Sequence, residues 1–324
     1  MQAIKGLIEE ESVERVLILP HNIPDGDTLG SCIGFYHLIK HLGKTPYMVL
    51  NDHVPSNLAF LFEDCGVKCL TSESVAEVSF DLAVAIDCGE KKLFEDRIGL
   101  FERAVKTASI DHHPTNTRFA EVNWIDSEAA ATGELIFDLC EAFSCPLTPA
   151  IGEALYTAIV TDTGSFRYSN TRPKTFDIAK TLMKTDFDFN RVNVALFQNK
   201  SLEKLRLLNR VFDTLQLHFS NRVAVVTLSQ EMMASLALSE YDTDGIVEFV
   251  RDISGVEVVV FIRYIGNGAH KVSMRAKYDF DLSVVASRFH GGGHKKAAGF
   301  KSDWPIEQIE KALLEALGEA FHDV

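Results

Sequence analysis

The sequence has no run of the ~20 apolar residues that a membrane-spanning helix requires. Its most apolar strip, residues 256–265, is interrupted by Glu257 and Arg263. It is also poor in cysteine, with 6 in 324 residues. The pairs Cys65/Cys69 and Cys140/Cys145 have no second pair or histidine at zinc-finger spacing, so a disulfide scaffold and a thiolate zinc module are both excluded. These thiols, with Cys32 and Cys88, read as reduced and mostly buried. Positive charge is scarce: 32 Lys and Arg stand against 46 Asp and Glu, a net charge of −14. A grip on long duplex DNA needs many cations on phosphates, and this chain lacks them. A short anionic ligand stays admissible wherever bound divalent cations reverse the local field. The N-terminus, with Glu9, Glu10 and Glu11 soon after Lys5, lacks the basic-then-apolar layout of a signal peptide. A cytoplasmic protein that does not associate with membranes is expected.

The patterning divides the chain in two. Residues 16–19 and 82–86 are continuous apolar runs, as in strands buried on both faces, and residues 104–110 and 122–126 continue the series. Helices are expected from about Gly30 to His41, over 57–63, 128–143 and 148–161, with further strands at 47–50 and 67–70. This alternation predicts an α/β fold: a mainly parallel sheet with helices on both faces. Three helices follow between 176 and 214. Strand signals then return at 215–219, 223–228, 256–264 and 270–276, mixed with helices at 244–253, 282–289 and 305–321. The expected organisation is a catalytic domain over 1–187, a helical linker over 188–211 and a smaller α/β domain with a mixed sheet over 212–324. Gly291, Gly292, Gly293 and His294 read as a loop before a short strand at 298–300.

What is abundant is carboxylate and imidazole at the ends of strands. His21, Asp25 and Asp27 follow the strand expected at 16–19, Asp87 the one at 82–86, and Asp111, His112 and His113 the one at 104–110. In parallel sheets, ligands bind outside the carboxyl ends of the strands. Asp162 closes a helix instead, and position alone says least about it. Taken singly, each motif is as well explained by a turn or a cap; their joint placement carries the reading. Five carboxylates with a minority of imidazole suit Mn²⁺ or Mg²⁺ and, less well, Fe²⁺ or Co²⁺. The mutual repulsion of so many carboxylates in one cleft favours two ions over one. A metal pair suits hydrolysis of a phosphate ester, diester or anhydride. Ser273 and Arg275 share one side of a predicted strand. Near a glycine-rich loop bearing His294, Lys295 and Lys296, they suggest a phosphate-recognition face.

The set His21, Asp25, Asp27, Asp87, Asp111-His112-His113 and Asp162 resembles the DHH phosphoesterase superfamily. The segment Ser273-Met274-Arg275, together with Gly291-Gly292-Gly293-His294, resembles its DHH-associated domain. The layout is similar to the bacterial oligoribonucleases that also act as 3′-phosphoadenosine 5′-phosphate phosphatases. The resemblance implies that His21, Asp25 and Asp87 hold one Mn²⁺, and that Asp27, Asp87, His112 and Asp162 hold a second, with Asp87 bridging. Mg²⁺ and Co²⁺ are the alternatives. It further implies that Asp111 orients the neighbouring histidine and that His113 contacts the scissile phosphate. Arg275, Gly292, Gly293 and His294, and less strongly Ser273, would bind the substrate's terminal phosphate or base across an interdomain cleft. The expected substrates are very short single-stranded RNA and small nucleotides. Linear or cyclic dinucleotides are the rival substrates, and a nucleotide-binding module without turnover is the rival of another class. A homodimer stays open.

Overall fold

The computed structural model describes residues 1–236, 243 and 245–322. The chain separates into two compact units, Met1–Asn199 and Lys200–Val324.

The first unit contains strands β1 (Arg15–Leu19), β2 (Thr45–Met48), β3 (Leu82–Ile86), β4 (Lys106–Asp111) and β5 (Val122–Ile125). They form one sheet in the order β2-β1-β3-β4-β5, parallel throughout. Its helices are α1 (Gln2–Glu9), α2 (Gly26–His41), α3 (Ile98–Glu102), α4 (Thr132–Ala142), α5 (Pro149–Asp162), α6 (Pro173–Leu182) and α7 (Phe189–Asn193). The apolar runs are continuous because both faces are covered. Val16, Ile18, Leu82, Val84 and Ile86 pack into the core built with α2, α4 and α5. Leu17, Leu19, Ala83 and Ala85, one residue out of phase, join Phe80, Phe94 and Phe101 on the opposite face. Each strand therefore feeds two cores by its period of two.

The strand order creates a switch point. From β1 the chain crosses to β2 on one side, then returns past β1 to β3 on the other. Such a reversal opens a crevice at the carboxyl ends of the two strands. The segment after β1 carries His21 to Asp27, and the residue after β3 is Asp87. Helices α2, α4 and α5 close in around that edge. At Gly30 an added Cβ would stand 2.2 Å from the Ala154 carbonyl oxygen. The small residues at the start of α2 thus let α5 approach closely.

The second unit contains β6 (Gln216–His218), β7 (Val223–Leu228), β8 (Val258–Gly266), β9 (Ala269–Ala276), β10 (Gly292–His294) and β11 (Ala297–Ser302), ordered β10-β11-β9-β8-β7-β6. Only β7 and β8 pair in parallel, so the sheet is mixed. Its helices are α8 (Leu202–Phe212), α9 (Gln230–Leu236), α10 (Ile246–Arg251), α11 (Leu282–Ser287) and α12 (Ile306–His322). Leu207, Leu208 and Val211 of α8, with Ile246 and Val250 of α10, cover Ala224, Val226 and Val259. Leu282 and Val285 of α11, with Ile309, Leu313 and Leu317 of α12, cover Val225, Val258 and Val272 on the other face.

Several local expectations are corrected. The glycine-rich segment is mostly not a loop: residues 292–294 form β10, paired antiparallel with β11, and Gly291 precedes it. Glycine permits this pairing, since a Cβ on Gly293 (φ 137°) would meet the Ala297 carbonyl oxygen at 2.4 Å. Residues 67–70 give only a single bridge between Val49 and Leu70, and the expected helix at 57–63 is a 3-10 turn, Ser56–Phe62. Helices α1, α3 and α9 were not expected. The expected helix at 244–253 is the shorter α10, and Asp244 lies outside the described residues. No helix among the described residues is long and apolar enough to cross a membrane.

Candidate metal centre

Asp27 is the second residue of α2, one position after Gly26, and its side chain is almost wholly buried. The backbone amides of Thr132 and Gly133 donate to it at 2.8 and 3.0 Å, and Ser31 Oγ adds a third bond at 3.0 Å. Those amides begin α4, whose positive end favours a carboxylate. Asp25 caps α2 by accepting from the Thr28 amide at 3.0 Å.

Asp87 adopts φ 60°, a left-handed backbone that non-glycine residues seldom take and that often marks a site. Its amide still bonds the Ile110 carbonyl at 2.9 Å, so β4 holds the turn in place. Thr28 Oγ1 donates to Asp87 Oδ2 at 2.6 Å and Thr132 Oγ1 to Oδ1 at 2.9 Å. The two oxygens face different imidazoles. Oδ2 lies 3.8 Å from His21 Nε2 and Oδ1 lies 3.9 Å from His112 Nε2.

His112 Nε2 is also 3.7 Å from both Asp27 Oδ2 and Asp162 Oδ2, and His21 Nε2 is 3.9 Å from Asp25 Oδ1. Three groups result in which every ligand atom lies within 4.8 Å of the others: His21/Asp25/Asp87, Asp27/His112/Asp162 and Asp87/His112/His113. All eight side chains expected at the centre, Asp111 included, gather there.

The donor set fits divalent cations. His21 Nδ1 faces the Asn22 carbonyl at 2.7 Å and His112 Nδ1 faces the Ala129 carbonyl at 3.2 Å. A carbonyl can only accept, so Nδ1 carries a hydrogen, and in the neutral ring that a metal ligand must be the Nε2 lone pair points at carboxylates. Lone pairs and anions facing each other call for positive charge between them. Without a cation, three of the acids hold their protons more tightly than an ordinary carboxyl does. Burial, then Asp87 and Asp162, pushes Asp27 well above the usual carboxylate range, and burial and Asp25 raise Asp87. Asp162 is pushed up to about 6, because burial together with Asp25 and Asp87 outweighs His112. The carbonyl end of α5, which Asp162 terminates, disfavours its negative charge further.

Of the two neighbouring histidines, Asp111 engages His113. Its Oδ1 lies 2.7 Å from His113 Nδ1, while Oδ2 accepts from Asn116 Nδ2 at 2.7 Å. Burial works against the Asp111 carboxylate, but His113 and Asn116 more than offset it and hold it below its usual range. Burial likewise opposes charge on His113, yet the bond to Asp111 and the field of Asp87 raise it to about 9.

In the second unit, β9, β11 and β10 place Ser273 opposite Gly299 and Gly299 opposite Gly292; Arg275, Ala297 and His294 form the adjacent cross-strand row. Ser273 and Arg275 therefore share a sheet face with Gly292. A Cβ added to Gly292 would meet nothing within 4 Å, unlike one on Gly293. Arg275 is not idle: its Nε lies 3.7 Å from Glu248 Oε1 and its Nη1 bonds the Met274 carbonyl at 3.1 Å.

Sequence reasoning missed the supporting residues. Thr28, Thr132 and Asn116 carry no motif of their own, although Thr28 adjoins Asp27 and Asn116 follows His113 closely. Asn170 was equally invisible; its Nδ2 donates to the Asp162 carbonyl at 3.1 Å and to the Ala130 carbonyl at 2.9 Å.

The sequence matches the DHH family, N-terminal domain, over residues 15–159 and the DHHA1 domain over residues 221–323. It is 31% identical, over 94% of this chain and 89% of the relative, to the bifunctional oligoribonuclease and PAP phosphatase NrnA of Thermus thermophilus. It is 27% identical to the cyclic-di-AMP phosphodiesterase GdpP of Geobacillus thermodenitrificans, over 98% of this chain but 49% of that protein. The fold matches the crystal structure of an exopolyphosphatase-related protein from Bacteroides fragilis with a TM-score of 0.87 at 22% identity, over 99% of this chain and 95% of that one. With the acids and imidazoles of its motifs gathered at one crevice, the chain belongs to the DHH phosphoesterase superfamily, joining a DHH domain to a DHHA1 domain.

Proposed function

We propose that this chain is a metal-dependent phosphoesterase that hydrolyses short RNA to mononucleotides and 3′-phosphoadenosine 5′-phosphate to AMP. The observation that carries the reading is Asp87: one buried carboxylate presents each oxygen to a different acid–imidazole group. His21, Asp25 and Asp87 would hold one divalent ion, and Asp27, Asp87, His112 and Asp162 the other. Mn²⁺ is the ion proposed, since oxygen donors predominate and imidazole is the minority. Such ions supply charge neutralisation, polarisation of a phosphoryl oxygen and acidification of water.

The chain's own residues do the rest. Thr28 and Thr132 fix the Asp87 oxygens, and the first amides of α4 fix Asp27, so little reorganisation is needed when substrate arrives. His113, whose Nδ1 is bonded by Asp111, would set a positive charge beside the phosphate. Water adds to phosphorus, the ester P–O bond breaks, and a proton ends on the leaving oxygen. Arg275, Ser273, Gly292, Gly293 and His294 would bind the substrate's terminal phosphate or base. A substrate of a few nucleotides also suits a chain of net charge −14, because only the site itself must be made positive.

The names of the relatives support this substrate class, and the GdpP similarity favours a second reading, hydrolysis of linear or cyclic dinucleotides. The test is an assay with added Mn²⁺ on a 5′-labelled diribonucleotide, 3′-phosphoadenosine 5′-phosphate and cyclic di-AMP. Mononucleotide release from the first two supports the main reading, and a higher kcat/KM on cyclic di-AMP supports the second. No release from any substrate would point to a nucleotide-binding module.

A further inference from the structure

The guanidinium of Arg97 is fully buried, at 0% exposure. Arginine is almost never so placed unless every donor has work. Its Nη1 donates to the Val49 carbonyl at 2.8 Å, its Nε to Asp96 Oδ1 at 3.2 Å, and its Nη2 to Asn22 Oδ1. Asp96 in turn accepts from Asn51 Nδ2 at 2.6 Å. The ion pair with Asp96 neutralises the guanidinium locally, so its reach is through hydrogen bonds rather than through its field.

Asn22 adjoins His21, and the loop between β1 and α2 is strained. Ile23 adopts φ 53° and is 45% exposed. For a β-branched residue this left-handed conformation is a true outlier that its surroundings must enforce. They do so from several sides. The Asn22 amide bonds the Leu93 carbonyl at 2.5 Å, the Ile23 amide bonds Asp52 Oδ2 at 3.1 Å, and Arg97 grips the Asn22 side chain. The same Asn22 supplies the carbonyl that holds His21 Nδ1 and so turns Nε2 towards Asp25 and Asp87.

We propose that Arg97, acting through Asn22, is the positioning residue that locks the strained loop and aims His21 at its half of the centre. This rests on the two-ion reading above and deepens it. Without the clamp Ile23 would relax, and the imidazole would swing off line while Asp27, His112 and Asp162 kept their places. One ion should therefore suffer and the other should not.

The test is calorimetric titration of the full chain with Mn²⁺ alone, comparing wild type with Asn22→Ala. That variant cuts the link but leaves Arg97 its bonds to Val49 and Asp96. The expected result is a loss of about 10- to 100-fold in affinity for one ion, the usual effect of removing an outer partner of a metal-binding histidine, with the other ion unchanged. Adding Ile23→Gly, which removes the strain, should recover part of the loss; general damage to the fold would not be repaired this way. Arg97→Met should reproduce the one-ion loss. If Asn22→Ala binds both ions as wild type does, or loses both equally, the inference is overturned while the two-ion reading stands. A wild-type chain that takes up no divalent ion overturns both.

Discussion

His112 Nε2 stands 3.7 Å from Asp162 Oδ2, although the first residue follows a strand and the second ends a helix. Asp162→Asn keeps the shape of the side chain and removes its charge. It should weaken one of the two divalent ions by more than the ~100-fold typical of an outer partner and abolish turnover with it. Unchanged binding of both ions in calorimetry would remove Asp162 from the centre.

The bond between Asp111 and His113 makes a separate prediction. Asp111→Asn cannot hold an imidazolium, so His113 should lose its proton at lower pH and kcat should fall by about 100-fold or more, the low end of what one preorganised donor to transition-state charge contributes. The measurement is the pH–rate profile under saturating metal. A profile identical to wild type would show that the bond is structural only.

The raised acids set a pH dependence for metal binding. In metal-free protein Asp162 keeps its proton up to about 6, whereas an unfolded chain releases it near 3.9. The folded state thus binds more protons within that window. This contribution to stability is fully present below pH ~3.9 and is lost as pH rises through about 6. Metal must displace the same protons. The rise in Tm on adding Mn²⁺ to chelator-treated protein should therefore be small at pH 5 and grow through pH 7. A rise that shrinks with increasing pH would contradict the assignment.

Arg275→Ala should mainly raise KM, because a guanidinium bound to a terminal phosphate holds ground state and transition state alike. Since Arg275 also pairs with Glu248, Glu248→Gln is the control: it leaves the arginine in place and should not raise KM. A pure loss of kcat in Arg275→Ala would assign it to the chemistry itself.

The sequence by itself determined the fold class, and its carboxylates and imidazoles pointed to a site suited to divalent metal. Unbroken apolar runs are buried on both faces whatever else surrounds them, and a side chain following each run must fall at a strand's carboxyl end. His21, Asp25, Asp27, Asp87 and His112 were legible for that reason. Only the tertiary structure decided which of these side chains face one another, because β2 lies outside β1 and leaves β1, β3 and β4 side by side, with Asp87 between His21 and His112. It also decided that Asp111 bonds His113 and that Gly292 and Gly293 lie in a paired strand. Thr28, Thr132, Asn116 and Arg97 were hidden for the same physical reason: a hydrogen bond between distant residues leaves no periodicity in the chain, and a buried arginine looks in sequence like any surface charge.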